Sequence, residues 1–252
     1  MPVFGGEVKE VVWYRRYPDA QTDGARVHTR CSMLMWSKEI CVTELLTPER
    51  ALNELRMWDE SFAVERLDSL AASAKRWREF LDTGGDAALF KGVGSEHITS
   101  SAFIFSPDFS QILLTYHRRL HRWVQMGGHV DREDHSIVAA GAREGIEESG
   151  VSDLRLLSEV PVDFDRHVLH GNFVCHAHWD IGFVFVADPT IPPEVSHESI
   201  DVAWWPVDGL PNDPDVTLPD GTVRAGRGVC ADNFPGRLAN VLAHPRIAGS
   251  RS

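Results

Sequence analysis

The stretch GGHVDREDHSIVAAGAREGIEESGV, residues 127–151, decides how the rest of the chain is read. SIVAAGAREGIEES (136–149) reads as a helix ending at Gly150. Arg143, Glu144, Glu147 and Glu148 lie on it. Glu147 and Glu148 stand three and four positions after Glu144, so the three carboxylates share a face. Like charges stacked this way repel by roughly a few tenths of a kcal/mol per pair, so their clustering makes sense around a cation. Oxygen-only ligands suit a hard ion, Mg²⁺ or Mn²⁺. Gly127 and Gly128 let the backbone turn tightly upstream, so that the Gly128 carbonyl can approach such an ion. A bare E-x-x-E-E would read more simply as a solvated acidic face. The glycine pair and the arginine beside the acids favour the metal.

The segment resembles the Nudix box, on Gly128, Asp134, Arg143-Glu144, Glu147-Glu148, Gly150 and Val151. The resemblance implies an α/β fold: an α/β/α sandwich with a mixed sheet. It implies that Glu144, Glu147 and Glu148 bind Mg²⁺ or Mn²⁺, that one of them also acts on an attacking water, and that Arg143 positions the acids by salt bridge. Three departures stand out. Asp134 replaces the usual glutamate. Eight residues rather than seven separate it from Arg143. Gly145 stands where an aliphatic or alanine is usual, at a helix-interior cost of about 1 kcal/mol. HITSSAFIF (97–105), LLTYHRRLHRWVQMGGHVD (113–131), the H-x-H-x-D at 176–180 and DVAWWPVDGLP (201–211) further resemble an actinobacterial-type branch of the superfamily, so that the likeness covers about residues 50–211.

A second constellation follows from strand alternation. VPVDFDRHV (160–168) and FVCHAHWDIGFVFVAD (173–188) read as a hairpin around His170-Gly171-Asn172, placing His167 across from Cys175–His176. His176, His178 and Asp180 share one face, as do Asp163, Asp165 and His167. Such a patch suits a second metal site or a substrate phosphate; the plainer reading is a polar sheet face in solvent. His117, Arg119 and Arg122 form, with Arg118 and His121, a basic run placed to reach a phosphate. Gln125 is a candidate for the pocket wall, and Glu198 for a late ligand or base, although a solvated loop glutamate is the simpler account. Adjacent Trp204 and Trp205 read as packing residues.

The rest of the chain bounds these readings. With 252 residues, 43% hydrophobic, it can bury a core of ordinary size. The net charge of −12 argues against a nucleic-acid partner but not against a phosphorylated small molecule met through a divalent cation. Cys31, Cys41, Cys175 and Cys230 form no C-x-x-C pair and read as scattered reduced thiols. No apolar run reaches the ~18 residues of a membrane span, and the first residues carry no signal pattern, so a cytoplasmic protein is expected. Residues 1–48 read as a β-rich extension, from VVWYRR (11–16), VHTRCSMLMW (27–36) and ICVTELL (40–46), and are a candidate dimerisation element for a homodimer. Residues 49–90 read as a helical segment, breaking near Glu60–Ser61 and stopped by TGGD (83–86), and 91–252 as the Nudix-like hydrolase domain.

The expected function is Mg²⁺-dependent cleavage of a diphosphate linkage in a nucleoside diphosphate derivative or similar metabolite. Glu147 or Glu144, or an acid outside the box, would take the proton. Two alternatives remain open at this point: a nucleotide-metabolite sensor that never turns its ligand over, and an enzyme of the isopentenyl-diphosphate isomerase type, which shares the fold.

Overall fold

The computed structural model describes residues 44–249, apart from 152, 170–174, 214, 218–220, 225 and 227, together with the backbone of two strands at 12–17 and 26–31. The elements begin with β1 (Val12–Tyr17), β2 (Arg26–Cys31), α1 (Pro48–Glu65), α2 (Asp68–Gly84) and α3 (Asp86–Leu89). They continue with β3 (Glu96–Phe105), β4 (Gln111–His117), β5 (Arg122–Val124), β6 (Met126–His129), α4 (Ile137–Ser149) and β7 (Asp153–Leu156). The last are β8 (Asp163–Val168), β9 (Ala177–Val186), β10 (Ser199–Pro206), β11 (Val216–Thr217), β12 (Val223–Arg224), α5 (Phe234–Ala243) and α6 (Pro245–Ala248).

One large sheet runs in the order β10-β4-β3-β9-β7-β1-β2, with β5 added on β4, β6 on β3 and β8 on β9. The β3–β9 pair is parallel and its neighbours are antiparallel, so the sheet is mixed. β1 pairs with β7, which makes the N-terminal strands part of this sheet, and among the described residues β2 ends it. Alternation along the central strands sorts the core onto two faces. Ala102, Ile104, Leu113, Phe183, Phe185 and Trp204 face α1, α2 and α4. Phe103, Phe105, Ile112, Leu114, Val184 and Trp205 face α5. The result is the α/β/α sandwich. The adjacent tryptophans therefore split between the two cores, and both are buried.

Local signals account for the helix boundaries. Thr47 and Ser136 each accept a backbone N–H of the third residue on, from Arg50 and Ala139. Gly150 closes α4 in the left-handed region. The break between α1 and α2 falls at Arg66–Leu67, where Arg66 has φ 57°, and not at Glu60–Ser61. Ser61 instead donates to Glu65 one turn on, and Phe62 continues the buried stripe of Leu55 and Trp58, so nothing interrupts the helix earlier. Glu44, Leu45 and Leu46 lie outside any strand, and the remainder of that expected segment, 40–43, lies outside the described residues.

Gly145 is explained by packing. A Cβ there would sit 3.0 Å from Leu154 Cδ1 and 3.1 Å from the Ala102 methyl. One turn earlier, a Cβ on Gly141 would meet Ser100 Oγ at 2.6 Å. The two glycines let α4 lie close on β3, which sets the depth of the acidic side chains it carries. Gly145→Val should overpack this contact and cost about 1–3 kcal/mol in urea denaturation. Unchanged stability would show that α4 does not depend on the close approach.

Candidate active site

The glycine pair and the acidic face of α4 meet directly. A Cβ on Gly128 would lie 2.5–2.6 Å from the Glu144 carboxyl atoms, so only glycine admits that carboxylate against β6. The Gly127 N–H donates to Glu148 Oε2 at 3.0 Å. Glu148 is buried, Glu144 half-buried and Glu147 exposed, and all three line a cavity of about 810 Å³. Burial pushes the Glu144 carboxyl up to about 7; Glu147 and Glu198 add to the rise while Arg143 opposes it. Burial likewise pushes Glu148 up to about 8, with the Gly127 N–H opposing and Glu144, Glu198 and Glu147 adding.

Arg143 binds the cluster together. Its Nε and one terminal nitrogen donate to the two Asp134 oxygens, each at 3.0 Å, a bidentate fork. The same terminal nitrogen donates to the His129 carbonyl at 2.8 Å, and the other reaches Glu144 at 2.9 Å and Glu147 at 3.3 Å. The extra residue between Asp134 and Arg143 is thus absorbed in the loop, and the shorter acid still meets the guanidinium. Asp134 also accepts the Asp131 N–H at 2.8 Å, which closes the loop on itself. Glu54, from α1, accepts the Ile137 N–H at the start of α4. Burial pushes that carboxyl up to about 7.

The other anticipated residues divide. His117, Arg119, Gln125, His167, His178 and Asp180 line the same cavity, as does Glu198. His117 Nδ1 accepts the N–H groups of Arg119 and Leu120, fixing the ring, and burial lowers its pKa. Gln125 donates to Ser101 Oγ at 3.2 Å. Arg118 lines the cavity too, with its guanidinium donating to the carbonyls of His197 and Ser199. Arg122 is exposed, donates to the His121 carbonyl and is not part of the cavity wall.

His176 is exposed and lies outside the wall as well, because β9 starts only at Ala177 and the alternation does not extend back to it. The hairpin register pairs His167 with His178 and Asp165 with Asp180, two residues from the pairing expected from the sequence. His167 Nδ1 lies 3.0 Å from Asp165 Oδ2. Asp180 is held by Thr99, by Ser101 and by Arg237 at 2.7 Å. Arg237 also grips Asp163, and its third acidic neighbour, Asp165, is 3.4 Å away. This buried arginine from α5 was not signalled by the sequence, since nothing near it in the chain pairs with it. Nor were His97 and His129, whose partners come from other strands.

The model of the NUDIX domain family matches residues 96–225, just over half of the 252-residue chain. The chain belongs to the Nudix family. A Nudix hydrolase of Clostridium perfringens is 18% identical over 58% of this chain and 96% of its own, with a TM-score of 0.42. An Ap4A hydrolase of C. elegans is 17% identical over 60% and 98%, with a TM-score of 0.43. A MutT Nudix hydrolase of Burkholderia pseudomallei is 19% identical over 58% and 98%, with a TM-score of 0.40. No curated protein matches the chain. None of the described helices is long and apolar enough to cross a membrane.

The Nudix acids fit a hard cation. They offer only oxygen, Glu148 is buried and Glu144 half-buried, and among the described residues Arg143 is the one guanidinium bonded to them. Loading a cation displaces protons from carboxyls raised to about 7 and about 8, so Mn²⁺ affinity should rise with pH. The dissociation constant, measured calorimetrically between roughly pH 6 and pH 8, should fall by up to about tenfold per unit for each proton displaced. In the metal-free protein the same carboxyls make folding less favourable as pH rises from their ordinary 4.5 toward those values, so its Tm should decline over that range. A flat affinity profile would place the cation elsewhere.

Proposed function

We propose that this protein is a Mg²⁺- or Mn²⁺-dependent Nudix diphosphohydrolase acting on a nucleoside diphosphate derivative or a similar small phosphorylated metabolite. The observation that carries the reading is the convergence of Glu144, Glu147, Glu148 and the Arg143–Asp134 fork on one side of a cavity large enough for such a molecule. Glu144, Glu147 and Glu148 hold the ion, beside the Gly128 backbone. When bound, the ion would supply positive charge to the diphosphate and make the attacking water more acidic.

The chain's own residues supply the remainder. Arg143 fixes the carboxylates and so their spacing. Glu147 or Glu144 accepts the proton of the attacking water, and Glu198 faces the same space as a further acceptor. Oxygen from water bonds to phosphorus, the bridging P–O bond breaks, and two phosphorylated fragments or a monophosphate and its partner depart. His117 and Arg119 at the rim, with Gln125 and His167 on the wall, contact the substrate's phosphates and polar groups. Lys91 adds positive charge to the same wall.

Glu148→Gln keeps the side-chain shape and the Gly127 hydrogen bond while removing the charge. It should lower kcat about a thousandfold against a panel of nucleoside diphosphate compounds, with an unchanged circular dichroism spectrum. Wild-type protein that binds members of that panel by calorimetry and releases no product would instead establish a sensor. Conversion of isopentenyl diphosphate to its isomer would establish the isomerase reading.

A further inference from the structure

Beside the carboxylates lies a group of a different chemical kind. His97 is the second residue of β3, His129 closes β6, His178 lies on β9, and Cys175 precedes β9 by two residues. One ligand atom from each lies within 4.8 Å of all the others. The three imidazoles form a triangle, with ring centroids 5.0, 5.1 and 5.2 Å apart. His97 and Cys175 are buried and the other two half-buried.

The rings lack the partners that such burial demands. Nε2 of His129 and Nε2 of His178 are shielded from solvent and make no hydrogen bond. His97 makes no hydrogen bond of normal geometry at either nitrogen. A buried polar group without a partner destabilises the fold, and three adjacent rings repeat that cost. Burial, followed by the charge of Lys91, lowers the His129 pKa. Burial holds His178 at about 4. Neutral imidazole is the form that ligates a metal.

We propose that His97, His129, Cys175 and His178 form a structural zinc site, separate from the carboxylate centre. Three imidazoles and a thiolate are borderline-soft donors that favour Zn²⁺ over Mg²⁺. Four protein ligands complete a tetrahedron and leave no open position for chemistry. Tetrahedral bonds of that type place donor atoms about 3.3–3.6 Å apart, so small side-chain rotations close the site. The ion joins β3, β6 and β9 at one end of the sheet. Through His129 it also anchors the strand whose preceding residue, Gly128, receives Glu144. The proposal does not rest on the hydrolase reading, because it concerns different donors.

Cobalt(II) titration of the full chain, stripped of metal, tests it. Wild-type protein should take up about one ion with the visible bands of tetrahedral cobalt and a near-ultraviolet thiolate-to-cobalt band. Cys175→Ser should lose the thiolate band, and Glu148→Gln should keep it. Native protein gives a second readout that needs no variant. Zinc should slow alkylation of Cys175, followed by peptide mass spectrometry, by about tenfold or more. A wild-type titration without the thiolate band, a band that survives Cys175→Ser, or an alkylation rate indifferent to zinc would each overturn the site.

Discussion

Arg143 sits among four carboxylates and a backbone carbonyl, and the geometry of the candidate active site depends on that one guanidinium. It forks onto Asp134, contacts Glu144 and Glu147, approaches Asp131 and donates to the His129 carbonyl. A single positive charge cannot balance so many acids, and burial, with the neighbouring glutamates adding, drives Glu144 and Glu148 toward protonation. The fold tolerates the imbalance because the helix carrying these residues is clamped at both ends and along its length. Ser136 and Glu54 satisfy its first N–H groups, Gly150 ends it, and Gly141 and Gly145 let it lie against β3. The charge deficit is the physical basis for proposing a cation at this site rather than a solvated surface.

The cavity wall opposite α4 shows a second solution to burying polar groups. There Arg237 pairs directly with Asp163 and Asp180, with Asp165 close by, and Thr99 and Ser101 also donate to Asp180. Asp180 is thus a satisfied internal ion-pair partner, although it reads in sequence as a candidate ligand. His178, two residues away on the same strand face, is the contrasting case. It is half-buried, neutral, unpartnered at Nε2 and surrounded by other imidazoles and a thiol. Neighbouring positions on one strand therefore serve different ends, and only the identity of what packs against them distinguishes the two.

The cysteines follow the same logic. Cys230 is buried among apolar groups, and burial pushes its thiol up to about 12, so it behaves as a small hydrophobe. Cys175 lies at the end of the histidine triangle. In the sequence both are isolated thiols without a C-x-x-C partner, and although His178 stands three residues after Cys175, the other two donors, His97 and His129, come from strands tens of residues away.

Features governed by short-range periodicity were legible in the chain. The 3.6-residue period put Glu144, Glu147 and Glu148 on one face, and the two-residue period put His178 and Asp180 on another, because backbone geometry alone sets those directions. The mixed sandwich followed from the same patterns joined to the box of residues 127–151. What neighbours each face is a matter of register and of contacts made across the fold, which local physics does not specify. The tertiary structure decided that His167 meets His178, that His176 falls before its strand, that Arg237 reaches the acids from α5, and that His97, His129 and Cys175 converge.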